Sequence, residues 1–179
     1  MPGFELVGEE ERKAVNELFD DGGVLFAHGF DNIRNNRYHV REFEEEFAKC
    51  LGVKYAQAVS SGTAALKIAL LALGVKPGDE VITQAFTFIA TAEAIIDIGA
   101  KPIFINIDET LNMDPNELES AISDKTTAII PVHMLGVATE QDKILAIANK
   151  YNIPVLDDAC ESLGAEWGSE KLGAQCDIA

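Results

Sequence analysis

The chain has 179 residues, 47% hydrophobic and 25% charged, the balance of a globular protein with room for a sizeable core. Its formal net charge of −16 leaves no basic face for nucleic acid. Three widely spaced cysteines, Cys50, Cys160 and Cys176, form no CxxC pair, so neither a disulfide framework nor a zinc site is signalled and reduced cytosolic thiols are expected.

The N-terminus, Met1-Pro2-Gly3-Phe4-Glu5, lacks the basic and apolar regions of a signal peptide, and no apolar run is long enough to span a bilayer. Glu9 to Asp20 reads as an acidic amphipathic helix ending near Gly22-Gly23. Val24 to Arg37 has no clear period. Val40 to Leu51 reads as a helix whose apolar positions, Val40, Phe43, Phe47 and Leu51, fall at helical spacing and read as packing. The expected division is an N-terminal helical segment over 1–52 and a larger α/β region over 53–179.

From Tyr55 onward, short apolar runs alternate with helix-period segments. Tyr55 to Val59 reads as a strand. Thr63 to Leu73, rich in Ala and Leu, reads as a buried helix stopped by Gly74. Lys76 to Asp79 is a turn and Glu80 to Thr83 a strand. Thr87 to Ile98 is a helix stopped by Gly99, and Ile103 to Ile107 a strand. Asp114 can cap the next helix, with Pro115 in its first turn and Glu117 three residues on. Thr126 to His133 is a strand, Thr139 to Tyr151 a helix, Ile153 to Leu156 a strand, and Ile178-Ala179 opens another. Strands separated by helices of this length predict an α/β fold with a mostly parallel sheet flanked by helices.

Three places can carry chemistry. Ser60-Ser61-Gly62-Thr63 lies between a strand and a helix, where small residues and the helix dipole suit an anion such as phosphate; a plain turn with a serine cap is the alternative. Asp157-Asp158 ends an apolar strand, where parallel sheets bind ligands. Asp158 can pair with a protonated ring nitrogen, or serve as a cap or loop ion pair. Phe88 can stack on a flat ligand, although on spacing alone a core phenylalanine is the better reading. His133 ends an apolar strand and reads as a structural histidine. HExxH and GxSxG patterns do not occur.

The ordered series Val59-Ser60-Ser61-Gly62-Thr63-Ala64-Ala65-Leu66, Pro77-Gly78-Asp79-Glu80-Val81-Ile82, Thr87-Phe88-Ile89-Ala90-Thr91, Gly99-Ala100-Lys101-Pro102, Pro131-Val132-His133 and Asp157-Asp158-Ala159 resembles the DegT/StrS family of sugar aminotransferases. The resemblance runs from about Glu42 to Ala179. It implies the aspartate-aminotransferase-like large domain of a fold-type-I enzyme that uses pyridoxal 5′-phosphate (PLP). By position, Gly62 and Thr63 would hold the PLP phosphate, Phe88 would stack on the pyridine ring, and Asp158 would pair with its nitrogen. Glu161 falls where members carry Gln or His near the PLP hydroxyl, a departure that puts a second acid near Asp158.

The family's Schiff-base lysine would lie roughly ten residues beyond Ala179, and the small C-terminal domain would follow it. None of the lysines present, Lys171 included, stands in that context. The expected reaction is transfer of an amino group, from a donor such as glutamate, to a keto sugar, in a homodimeric full-length enzyme. The alternatives are a PLP-dependent sugar dehydratase of the same family, with histidine in place of the lysine, or a non-catalytic truncated homologue. Met1 to Leu6, with Asn32 to Asn35 and Arg37, is similar to transaminases that make an amino sugar acid of lipopolysaccharide. That similarity implies Arg34 or Arg37 as a clamp for a substrate carboxylate; two surface arginines in a loop is the plainer reading.

Overall fold

In the computed structural model, residues 4–179 are described; Met1-Pro2-Gly3 of the N-terminal resemblance lies outside them. The chain divides into two compact units. One holds the N-terminal residues to Lys49 together with Lys54–Ala58, and the other holds Cys50–Val53 and Val59–Ala179.

In the first unit, α1 (Glu9–Asp20) opens with three acidic residues in its first turn, where the helix dipole favours them. The Gly8 amide donates to the Glu11 carboxylate at 2.7 Å. The helix ends as expected at Gly22 and Gly23, both at positive φ. A Cβ on Gly22 would sit 2.7 Å from the Ile33 carbonyl oxygen, so glycine is needed there for space as well as for φ. In α2 (His39–Leu51), the Phe43 and Phe47 rings lie 5.6 Å apart, but Phe43 stays exposed, so the apolar stripe is only partly packed.

The expected strand at Tyr55 to Val59 does not form. A strand is a ladder, not a local conformation, and nothing among the described residues pairs with this segment. The Ala58 amide donates instead to the Glu44 carboxylate at 2.8 Å.

The second unit is built on a parallel sheet. Strands β1 (Glu80–Gln84), β2 (Lys101–Ile105) and β3 (Thr126–Ile130) lie in the order β2-β1-β3. Parallel bridges Ile129 to Val155 and Leu156 to Ile178 extend the order by two short segments. The expected strand at Ile153 to Leu156 is thus present as bridges only. β2 begins two residues earlier than its β-branched run predicts and includes Pro102, which an edge strand tolerates because one side needs no N–H donor. It stops at Ile105 because Ile107 turns away to bridge Met113. β3 ends at Ile130 rather than His133: Pro131 has no N–H to give, and pairing resumes only at the Val132–Asp158 bridge.

Helices cover both faces. Alternating residues of the strands feed two cores. Val81, Ala128, Ile130 and Leu156 meet Leu66 and Leu70 of α3 (Gly62–Ala72) and Ala94 and Ile95 of α4 (Ile89–Asp97). Ile82, Ile129 and Val155 meet Leu118 of α5 (Pro115–Ala121) and Ile144 and Ala148 of α6 (Gln141–Tyr151). Period-2 alternation in a sheet covered on both sides explains why its strands read as continuous apolar runs. α3 is less buried than its composition predicts, since Ile68 and Leu71 face solvent.

Asp114 caps α5 by accepting from the Asn116 amide at 2.9 Å. Glu117 does not complete a capping box; its carboxylate accepts from the Asn106 backbone and side-chain amides. A two-residue hairpin of β4 (Glu166–Trp167) and β5 (Glu170–Lys171) follows the last sheet segment but one.

Candidate functional site

In a parallel sheet of this order, the crevice opens at the carboxyl ends of the strands, where the connections on either side of β1 diverge. β1 runs out into Phe86 and Phe88, β3 into Pro131 to His133, and the Val155-Leu156 segment into Asp157-Asp158. The residues singled out in the sequence between Phe88 and Glu161 therefore share one edge of the sheet.

Asp158 is 7% exposed. Its Oδ2 accepts a 3.0 Å hydrogen bond from the Thr91 hydroxyl, and its Oδ1 has a long 3.5 Å contact from the Cys160 amide. Burial with so few donors leaves acceptor capacity on the carboxylate for a further partner. Asp157, one residue earlier, faces the other way. Its Oδ1 accepts from His133 Nε2 at 2.8 Å and Gln141 Nε2 at 2.9 Å, and its Oδ2 from the Gly173 amide at 3.0 Å. The Thr139 amide donates to His133 Nδ1 at 3.1 Å, which puts the ring proton on Nε2, facing Asp157. His133 is fully buried and satisfied, as the structural reading expects. The two aspartates divide the work: Asp157 ties the core together and Asp158 keeps free lone pairs.

Phe88 corrects the reading from spacing. It is 71% exposed, not in the core, because it serves as the N-cap residue of α4 with extended backbone. At the head of α3, Ser61 Oγ accepts from the Ala64 amide at 3.1 Å, the serine cap of the plainer reading. The cap leaves the Gly62 and Thr63 amides without a hydrogen-bond partner among the described residues. A Cβ on Gly62 would meet nothing within 4 Å, so the space before the helix is open. The serine cap and two outward amides therefore coexist there.

Glu161 does not project free. Its Oε2 accepts from the Leu135 amide at 2.7 Å, and Leu135 holds a left-handed φ of 56°. The glutamate thereby fixes the turn at Met134–Gly136. Arg34 and Arg37 lie in the first unit. Arg34 is buried, donates to the Phe26 carbonyl and stacks 4.8 Å from the Tyr38 ring centroid. Arg37 reaches Asp21 at 3.2 Å, Glu42 at 3.8 Å and Glu17 at 3.9 Å. Among the described residues no cluster of His, Cys, Asp and Glu could hold a metal ion, and no helix is long and apolar enough to cross a membrane.

Gln84, Thr91, Asn112 and Gln141 carry much of the geometry and were not singled out in the sequence. Each is a buried polar residue inside or beside an apolar run, which is the one signal that could have flagged them. Asn112 Oδ1 accepts from the Met134 amide at 2.9 Å, and its Nδ2 donates to the Val137 and Ala138 carbonyls.

Cys160 stands beside Asp158. Burial of the sulfur, then the charge of Asp158 and a hydrogen bond to it, push the thiol up to about 11. At pH 8 its thiolate is then about a hundredfold scarcer than that of an ordinary cysteine. Iodoacetamide is expected to label Cys160 at least tenfold more slowly than a cysteine peptide at that pH, read by peptide mass spectrometry. Cys160 is exposed, so equal rates would show an unshifted thiol.

The sequence pattern of the DegT/DnrJ/EryC1/StrS aminotransferase family matches residues 10–179. The chain belongs to this family. It is 46% identical over 144 residues to the UDP-2-acetamido-2-deoxy-3-oxo-D-glucuronate aminotransferase of Pseudomonas aeruginosa, covering 78% of this chain and 40% of that protein. NtdA of Bacillus subtilis, solved with its cofactor PMP bound, superposes with a TM-score of 0.77 at 37% identity, over 89% of this chain and 35% of that one. A GDP-4-keto-6-deoxymannose-3-dehydratase, solved with a trapped PLP-glutamate geminal diamine, superposes with a TM-score of 0.81 at 33% identity, over 93% and 42%. The fold is that of the fold-type-I PLP-dependent aminotransferases. The chain spans about two fifths of the length of the curated relatives it matches.

Proposed function

We propose that the protein carrying this chain transfers an amino group to a keto sugar with PLP as cofactor, and that this chain supplies most of the cofactor's fixed contacts. The observation that carries the reading is Asp158: a buried carboxylate at the carboxyl edge of a parallel sheet, with spare acceptor capacity, in a chain whose solved neighbours hold PLP or PMP. The residues fit such a group. The open space before α3 and the unpaired Gly62 and Thr63 amides suit its phosphate. The exposed Phe88 ring can cover its pyridine face, and Asp158 can accept from its ring nitrogen.

When bound, PLP supplies an electron sink for the carbanion formed next to the transferred nitrogen. The chain's part is to bind and orient. Asp158 holds a proton on the ring nitrogen, Gly62 and Thr63 anchor the far end, and Phe88 excludes water from one face. Glu161 shapes the neighbouring turn through Leu135 with one carboxylate oxygen and offers the other to the cofactor hydroxyl. The amino donor is taken to be glutamate. For a sugar-acid acceptor, Arg34 and Arg37 are the guanidiniums proposed for its carboxylate, Arg34 only by leaving its buried place against Phe26 and Tyr38 and Arg37 only by leaving Glu17, Asp21 and Glu42. A homodimer working in the cytoplasm, in amino-sugar or lipopolysaccharide synthesis, completes the proposal.

A second reading, dehydration of the keto sugar, is favoured by one observation, the likeness to a sugar 3-dehydratase. The test is to incubate the intact protein with PLP, nitrogen-15 glutamate and nucleotide keto sugars, and to follow the product by mass spectrometry. Labelled nitrogen in the sugar supports transamination. Loss of water from the sugar without label supports dehydration, and an unchanged sugar contradicts both.

A further inference from the structure

We infer that Thr91, with Thr87 behind it, is a positioning pair that aims Asp158 at the cofactor ring; the inference rests on the reading of Asp158 as the partner of the PLP ring nitrogen. Thr91 stands on α4, 67 residues from Asp158 in sequence, and is 1% exposed. Its Oγ1 lies 3.0 Å from Asp158 Oδ2 and 2.9 Å from Thr87 Oγ1. A carboxylate oxygen accepts, so the single Thr91 proton goes to Asp158. Thr91 Oγ1 can then only accept from Thr87, and the two hydroxyls form a chain that points one way, Thr87 to Thr91 to Asp158.

A threonine inside a helix ordinarily returns its hydroxyl to a carbonyl of the preceding turn. Thr91 gives its proton to the carboxylate instead. That bond is the strongest donor contact to the Asp158 carboxylate; Cys160 adds only a 3.5 Å contact from its amide and the weak donor of its thiol. With Thr91 in place, Oδ2 is held and the plane of the carboxylate is restrained. Without it only the weaker Cys160 contacts hold the carboxylate against rotation about its terminal bond.

Thr91 also ties two contacts of the ring together. Its amide donates to the Phe88 carbonyl at 3.2 Å, and Phe88 caps the same helix. The residue that would cover the ring face and the residue that would hold the ring edge therefore share one support. The ligand this arrangement suits is a flat nitrogen heterocycle with a ring N–H, held simultaneously on face and edge.

The test uses the intact protein and four variants: Thr91→Val, which keeps shape and removes the hydroxyl, Thr91→Ser, which keeps the hydroxyl, Thr87→Val, and Asp158→Ala as reference. PLP affinity is measured by absorbance titration, together with the position of the bound-cofactor band, kcat and KM for the sugar, and the melting temperature. Thr91→Val is expected to weaken PLP about tenfold, the scale of one hydrogen bond to a charged group, to shift the band, and to lower kcat with KM for the sugar unchanged. Thr91→Ser is expected to stay within about threefold of wild type, and Thr87→Val to fall between. Wild-type affinity and band in Thr91→Val, alongside their loss in Asp158→Ala, overturn the positioning role and leave the Asp158 reading standing. Equal loss in Thr91→Val and Thr91→Ser that follows melting temperature also overturns it, as a packing effect. Wild-type protein that binds no PLP overturns both.

Discussion

Asp158→Ala in the intact protein is expected to weaken PLP binding about a hundredfold or more and to remove transamination. The side chain is buried, accepts the proton of Thr91 on one oxygen and keeps acceptor capacity for a further partner. Truncation deletes a charge-assisted partner in a poorly solvated place, where losing one member of a pair costs roughly 3 kcal/mol, about two powers of ten. Asp158→Asn separates the two parts of the role. The amide keeps the shape and can still accept from Thr91, but it carries no charge to hold a proton on a ring nitrogen. Asn is therefore expected to fold like wild type, to retain PLP better than Ala, and to lose catalysis almost as completely. Titration and steady-state rates on the same preparations decide it. Undiminished turnover in either variant contradicts the assignment.

The second large effect is structural. Gln84 is fully buried at the end of β1. Its Oε1 accepts from the Met113 amide at 3.0 Å and the Val132 amide at 3.1 Å; its Nε2 donates to the Phe86 carbonyl at 2.9 Å and the Leu111 carbonyl at 3.3 Å. All four hydrogen-bonding positions of the side-chain amide are used, and they fasten the three connections that leave β1, β2 and β3 on the crevice side. Gln84→Ala strands two N–H groups and two carbonyls. At about 1–3 kcal/mol for each unsatisfied buried group, with some recovered by water in the new cavity, the net cost is expected to be about 3 kcal/mol or more. Denaturant unfolding monitored by fluorescence should show it as a lower midpoint. Because Phe86 leads into Phe88, PLP affinity is expected to fall as well. A midpoint within error of wild type would mean that Gln84 does not staple these loops.

Much of this architecture is legible in the sequence because it rests on periodicity and punctuation. α1 ends where two glycines stand, Gly74 and Gly99 stop α3 and α4 at positive φ, and Asp114 caps α5. The family resemblance likewise follows from local, ordered words; in the fold, Asp158 lies at the carboxyl edge of the sheet and Gly62-Thr63 at the head of α3. What the sequence hides is pairing. Tyr55 to Val59 has the composition of a strand but nothing beside it, and pairing partners cannot be seen in a single run of residues. Pro131 shortened β3 and Pro102 entered β2 for the same reason: whether a missing N–H matters depends on which neighbour lies on that side. Phe88 misled because exposure is set by its place as a helix cap, not by its hydrophobicity. Thr91, Gln84 and Asn112 escaped notice because each acts across a long sequence separation, and polar residues next to apolar runs do not announce their partners.

Binding of PLP itself is the most direct test of this site. The measurement is a titration of the intact protein, freed of cofactor by dialysis against an amino-acid trap, with PLP followed by absorbance. Saturable binding at one site per chain, lost in Asp158→Ala and weakened in a Gly62 variant bearing a side chain, is the result expected from an anchored phosphate and a paired ring nitrogen. Absence of saturable binding in the wild-type protein, or binding that both variants leave untouched, would contradict the placement of the cofactor at this edge of the sheet.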